Sequence, residues 1–357
     1  GLSLLAKGLV GFVIPFGVLA LYYTFRRRVP EREVRKSLVW GIPLAIAISA
    51  VWYGPVIAKH GRTFIDQFFI QHHFARFVSN KYHHPQRFYF YFSIIALMAL
   101  PWTTVLTEEI AVTRLRDFQD NTAIGKTRMF ALAWLVLPIL FFSFSSSKLP
   151  GYILPAVPAA ALLIADRIQN GNSRWTMRIA GVICLSLGIT GLLYALRSNA
   201  LPPGKSLLIM SPFLIGGAVS IVLAKWRSFS ALVIGCSTVL ALVLVIHSVA
   251  PTIAVKESAR DLLRRADELG FSQTPIYARV GSDRTPEFYA AGRVVYGSDG
   301  EPITLDEFPK MREAAREQGG TILVFVHPDY IDLIKRSPDM QAIGTNGNVA
   351  LIVVNVR

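Results

Sequence analysis

The chain has 357 residues, of which 17% are charged, and a formal net charge of +14; its mean hydropathy is +0.43. A soluble chain usually carries about 25% charge. The composition therefore excludes an ordinary soluble protein and implies a mainly α, polytopic membrane bundle. The basic excess does not imply nucleic acid. Residues 1–249 hold 24 Lys and Arg against 8 Asp and Glu, whereas residues 250–357 hold 13 against 15. Positive charge thus belongs to the membrane part, where topology and lipid phosphate account for it.

Eight apolar runs are candidate spans, at 3–25, 38–57, 88–107, 129–147, 151–168, 179–197, 207–224 and 229–249. A helix needs about 20 residues to cross about 30 Å of hydrocarbon. The first run contains Lys7, and an intramembrane Lys is either a functional cation or one that snorkels to the interface. Four loops carry 15 cations: Arg26 to Lys36, Arg114 to Arg128, Arg167 to Arg178, and Lys225 with Arg227. They alternate with cation-poor loops and are expected to be cytoplasmic.

The loop at 58–87 breaks that rule. It lies on the opposite, extracytoplasmic side yet carries Lys59, Arg62, Arg76, Lys81 and Arg87, with His72, His73, His83 and His84. TFIDQFFIQHHFARFV (63–78) reads as an amphipathic surface helix. At 100° per residue, Asp66, His73 and Arg76 share one edge. Arg suits phosphate, because its planar fork donates two parallel bonds. Contact with ordinary lipid headgroups explains the same charges. His72 and His73 point about 100° apart on a helix, which argues against a purely local metal site.

The run FSFSSSKLPGYILPAVPAAALLIA (142–165) closes one span with serines and Lys148 and opens the next with Pro150, Pro155 and Pro158. These prolines do not fit an ordinary helix interior. Two readings stand: a broken helix lining a cavity with Lys148 and Tyr152 at its mouth, or a kinked hairpin whose Lys148 snorkels to water. Cys184 and Cys236 lie in apolar runs and read as small core residues.

Residues 250–357 read as a small soluble α/β domain, extracytoplasmic if the eight spans hold. VKESARDLLRRADELG is an amphipathic helix stopped by Gly270. PIYARV, RVVYG, TILVFV and ALIVVNV read as strands, with helical stretches near 285–291, 304–318 and 328–336 between them.

GLSLLAKG at a span start, FFIQHHFARF before an aromatic span with Leu100-Pro101-Trp102, and above all the Ser-x-x-Lys-Leu-Pro-x-Tyr-x-Leu-Pro pattern of Ser145–Pro155 resemble a known family. It is that of the bacterial aminoarabinose lipid A transferases, related to the protein O-mannosyltransferases within the C-type membrane glycosyltransferases. The resemblance covers about residues 1–250. It implies an inner-membrane enzyme that moves a sugar from a polyprenyl-phosphate donor to a lipid A-like or protein acceptor on the periplasmic face. It further implies that Arg76 and Lys7 bind the donor phosphate and that Lys148 and Tyr152 line the donor or acceptor cavity. His73, in His-x-x-Arg-Phe, is implied as a ligand of a divalent metal. In the family the key acidic residues lie in the first extracytoplasmic loop, upstream of every motif here. The expectation is therefore a later part of a longer enzyme, inactive alone, with no catalytic base assigned to Asp66. A transporter or flippase, or a non-catalytic membrane subunit, also fits a broken helix and a buried Lys.

Overall fold

The computed structural model describes the chain except residues 67, 69, 71–85, 114–119, 172, 199–200, 279–284, 299 and 357. It folds as two compact units, Gly1–Ala241 and Leu242–Arg357. The chain is a mainly helical, multi-pass membrane protein that carries a small sheet.

The expected first span is two helices, α1 (Leu2–Lys7) and α2 (Val10–Phe25), because Gly8 takes φ 59° between them. α3 (Arg32–Phe64) is 33 residues long and breaks at Gly61, φ 55°. The expected third span, 88–107, is not one helix. It divides into α4 (Phe90–Met98) and α5 (Thr103–Val112), bent by 118°. Pro101 has no N–H to continue the helical ladder, and the turn closes instead through Trp102 N–H on the Ala99 carbonyl at 2.6 Å.

α6 (Ala123–Ser143) starts at a true cap, with Thr122 Oγ1 accepting from Gly125 N–H at 3.0 Å. The proline-rich run enters as a 3-10 helix, Pro150–Ala156, and continues as α7 (Val157–Asn170). α8 (Arg174–Ser198), α9 (Pro203–Val222) and α10 (Arg227–Glu257) complete the series. Among the described residues six helices are long and apolar enough to cross a membrane, and the bent α4–α5 pair makes a seventh if counted as one span. α2, at 16 residues, is apolar but shorter.

The core of the first unit gathers Ile14 and Val18 of α2, Tyr91 and Ile95 of α4, Leu135 and Phe142 of α6, and Ile153 of the 3-10 helix. α8 and α9 approach through small residues, which let membrane helices pack closely. A Cβ on Gly217 would stand 2.5 Å from the Leu185 backbone nitrogen.

In the second unit, α11 (Arg260–Glu268) ends where Gly270 takes φ 92°, as its sequence predicts. The sheet has order β1-β2-β4-β3, from β1 (Ile276–Tyr277), β2 (Thr321–Val326), β3 (Met340–Thr345) and β4 (Ala350–Asn355). β1 and β2 are parallel, and the other pairings are antiparallel. Leu323 and Phe325 face Leu262 and Leu263 of α11, while Ile322 and Val324 face Met311 and Ala315 of α13 (Phe308–Glu317). Cover on both faces explains why TILVFV is continuously apolar. RVVYG, expected as a strand, makes only isolated bridges at Val294 and Tyr296. Short helices run at Thr285–Tyr289 (α12) and Ile331–Ile334 (α14).

Two outcomes follow for stability. Gly217→Val overpacks the α8–α9 contact at a cost of about 1–3 kcal/mol and lowers the thermal midpoint in detergent, whereas Gly235→Ala, with nothing within 4 Å of its Cβ, leaves it unchanged. Arg312 donates to both carboxylate oxygens of Asp339, at 2.5 and 3.2 Å, and holds that carboxyl below its ordinary value. A lowered folded-state pKa stabilises above the ordinary carboxylate value of about 3.9. That contribution disappears as pH falls through the lowered value, so Asp339→Asn flattens the loss of stability measured by acid titration.

Candidate functional site

The two ends of the membrane unit treat charge in opposite ways. At one end the cation-rich loops are stitched together. Arg26 donates to the Asp120 carbonyl at 3.0 Å and to Asn121 at 2.6 Å, joining the α2–α3 and α5–α6 loops. Arg128 of α6 pairs with Glu109 of α5 at 2.9 Å and with Asp166 of α7 at 2.6 Å. Arg167 donates to Glu108, whose other oxygen accepts from Thr176 Oγ1 at 2.6 Å. Arg227 reaches the Ser173 and Arg167 carbonyls. These bonds place all four cation-rich loops at one end, the alternation that their charge predicts. They also involve Glu108 and Glu109, which the sequence reading assigned to no site. Two adjacent carboxylates closing an apolar run are the one signal that marks them.

The opposite end of α6 carries the serine-lysine hinge. Lys148 is only 7% exposed. Its Nζ donates to the Ser145 carbonyl at 2.5 Å, its one bond among the described residues. The expectation that Lys148 snorkels to water does not hold, since the loop folds inward over it. Ser145 Oγ donates to the Ser147 carbonyl at 2.9 Å, and Tyr91 OH donates to the Leu149 carbonyl at 3.1 Å. Ser143 and Ser147 are buried, and neither hydroxyl has a partner among the described residues. Tyr152 lies in the first turn of the 3-10 helix, its N–H on the Leu149 carbonyl at 3.1 Å and its ring 5.4 Å from Phe142. Lys148 and Tyr152 thus belong to one hinge that also holds two buried hydroxyls without a partner among the described residues. A buried ammonium and unpartnered hydroxyls cost stability unless a ligand or water completes them.

Lys7 is exposed at the C-terminal turn of α1. α1 packs against α2 and α3, with Tyr53 OH donating to the Leu4 carbonyl at 2.9 Å, whereas the hinge packs against α4, α6 and α7. Asp66 is exposed just beyond α3. His73 and Arg76 lie outside the described residues. Among the described residues no group of three or more His, Cys, Asp and Glu could hold a metal ion.

With this geometry the comparisons can be read. No protein-family model matches the chain. It is 27% identical over 361 residues to the undecaprenyl phosphate-alpha-4-amino-4-deoxy-L-arabinose arabinosyl transferase of Pectobacterium carotovorum, covering 91% of this chain and 62% of that protein. The chain resembles the aminoarabinose arabinosyltransferases. The like-named protein of Aeromonas salmonicida is 32% identical over 200 residues, 52% of this chain and 35% of that relative. A second arabinosyl transferase of Pseudomonas fluorescens is 24% identical across 99% of this chain. The chain therefore spans about a third to two thirds of the length of these relatives. A crystal structure of ArnT from Cupriavidus metallidurans bound to undecaprenyl phosphate aligns with TM-score 0.71 over 98% of this chain and 66% of that one. At 20% identity, that likeness shows a shared fold, a membrane bundle with a C-terminal α/β domain.

The ion network at the cation-rich end makes its own prediction. Removing one partner of a buried pair costs about 3–5 kcal/mol. Arg128→Met, which leaves Glu109 buried at 2% exposure, lowers the thermal midpoint strongly, and adding Glu109→Gln recovers part of the loss.

Proposed function

We propose that the chain is part of an integral-membrane glycosyltransferase that moves a sugar from a polyprenyl-phosphate donor to a lipid A-like acceptor on the periplasmic face of a bacterial inner membrane. Residues 1–249 form the membrane domain in this reading and residues 250–357 a periplasmic α/β domain. One observation carries it: a buried ammonium, Lys148, bonded among the described residues to one neutral carbonyl, in a hinge where the Ser143 and Ser147 hydroxyls have no partner among those residues. It sits at the end of α6 opposite the cation-rich loops, the periplasmic end by the charge rule. The similarity to arabinosyl transferases supports the class of donor.

The chemistry asks for fixed positive charge. As the sugar leaves its phosphate, the ring gains oxocarbenium character, as in glycoside hydrolysis. Negative charge then builds on the departing lipid phosphate, and cations already in place lower the barrier. Lys148 and Tyr152 line the donor cavity in this reading, and Arg76 and Lys7 contact the phosphate. His73 is included as a ligand of a divalent ion, to which no step is assigned.

In the full-length protein, sugar transfer from a polyprenyl-phosphate donor falls about 100-fold or more in Arg76→Ala and in Lys148→Met, the range for losing one charge-stabilising donor. Lys148→Arg retains much of the rate. Unchanged transfer in both Arg76→Ala and Lys148→Met contradicts the assignment.

A further inference from the structure

The soluble unit holds a cavity of about 470 Å³ that the proposed transfer does not use. That volume lies within the usual range of ligand clefts, about 300–1,000 Å³. The cavity opens where β2 ends, at the carboxyl end of the parallel β1–β2 pair, the edge of an α/β sheet where ligands commonly bind. Its floor is apolar, with Leu305, Met311 and Val326 of one core cluster among its lining residues. Its rim carries Asp306, His327, Asp329 and Tyr330.

The rim is organised. His327 Nδ1 accepts from the Asp329 backbone N–H at 3.3 Å, which orients the imidazole, and Asp329 Oδ2 stands 2.9 Å from the same nitrogen. The Asp329 side chain is 86% exposed, so the carboxylate also faces solvent. Phe308 packs edge-on against the Tyr330 ring at 6.1 Å and 83°, fixing a ring that remains 42% exposed. Among the described residues lining the cavity there is no Lys or Arg. Two carboxylates in the lining disfavour phosphate and other anions. They accept hydrogen bonds well, and a fixed aromatic face offers an apolar platform. A sugar ring has the matching halves, one face of C–H groups and an edge of hydroxyls or an amine.

We propose that this cavity binds an uncharged or amino-substituted sugar ring. The proposal stands apart from the donor-phosphate site and does not need transfer to occur. Saturation-transfer NMR on the whole chain in detergent, with galactose and glucosamine as probes, tests it. Wild type gives saturation transfer to ring protons. Affinity falls about tenfold in Tyr330→Ala and in Asp306→Asn, about 1.4 kcal/mol, while Asp329→Asn gives a smaller loss and all three variants unfold at the wild-type temperature. Glucuronate gives no signal, because like charges repel. A second arm compares free glucosamine with a glucosaminyl lipid in nanodiscs, and tighter binding of the lipid form identifies a glycolipid as the source. Equal signals in wild type and the Tyr330 and Asp306 variants, or no signal from either neutral or amino sugar, overturns the proposal. Intact sugar binding beside failed transfer in Lys148→Met leaves this site standing and bears only on the donor site.

Discussion

One ammonium group sets the terms for the membrane unit. Lys148 is almost wholly removed from water, and its one bond among the described residues is to the uncharged Ser145 carbonyl. Withdrawing an ion from water costs several kcal/mol unless charge or hydrogen bonds offset it. The rest of the hinge is arranged around that constraint. Tyr91 fixes the Leu149 carbonyl, Ser145 fixes the Ser147 carbonyl, and the prolines start a 3-10 helix where an α-helix cannot form. A loop held this firmly keeps the ammonium in place before any ligand arrives, which is what electrostatic catalysis requires.

The other end of the same helices solves the charge problem differently. Arg128 pairs with both Glu109 and Asp166, and Arg167 with Glu108. With the Thr176 bond to Glu108, these pairs tie α5, α6, α7 and α8 into one block. The contrast explains why a strongly basic chain has its candidate site at the end with fewer loop cations. Arg26, buried like Lys148, donates to two acceptors and joins two loops, whereas Lys148 has one bond among the described residues.

Much of this was legible in the sequence because it rests on local rules. Apolar run length gave six of the eight expected spans as long helices, cation alternation gave the loops that the structure joins at one end, and three prolines in nine residues marked an irregular helix start. The Gly270 stop and the apolar strand TILVFV also follow from neighbours in sequence. What escaped depends on register between distant elements. The bend at Leu100-Pro101 divides a run that composition reads as one span. MQAIGT has only Ile343 and Thr345 as β-branched residues, interrupted by Gly344, and becomes β3 by pairing with β4. The burial of Glu108 and Glu109 requires cations from three other helices. Whether Lys148 points to water or inward is decided by Tyr91, 57 positions earlier, and by the fold of the serine turn, so sequence left the two readings open.

The central claim is that the buried charge of Lys148 awaits an anionic lipid. Equilibrium binding of undecaprenyl phosphate, set against neutral undecaprenol, to the purified chain and its Lys148→Met variant tests this most directly. The account predicts that wild type prefers the phosphate by about tenfold or more, 1.4 kcal/mol, and that the preference shrinks in the variant while undecaprenol binding is unchanged. Equal preference for the phosphate in both proteins would contradict it.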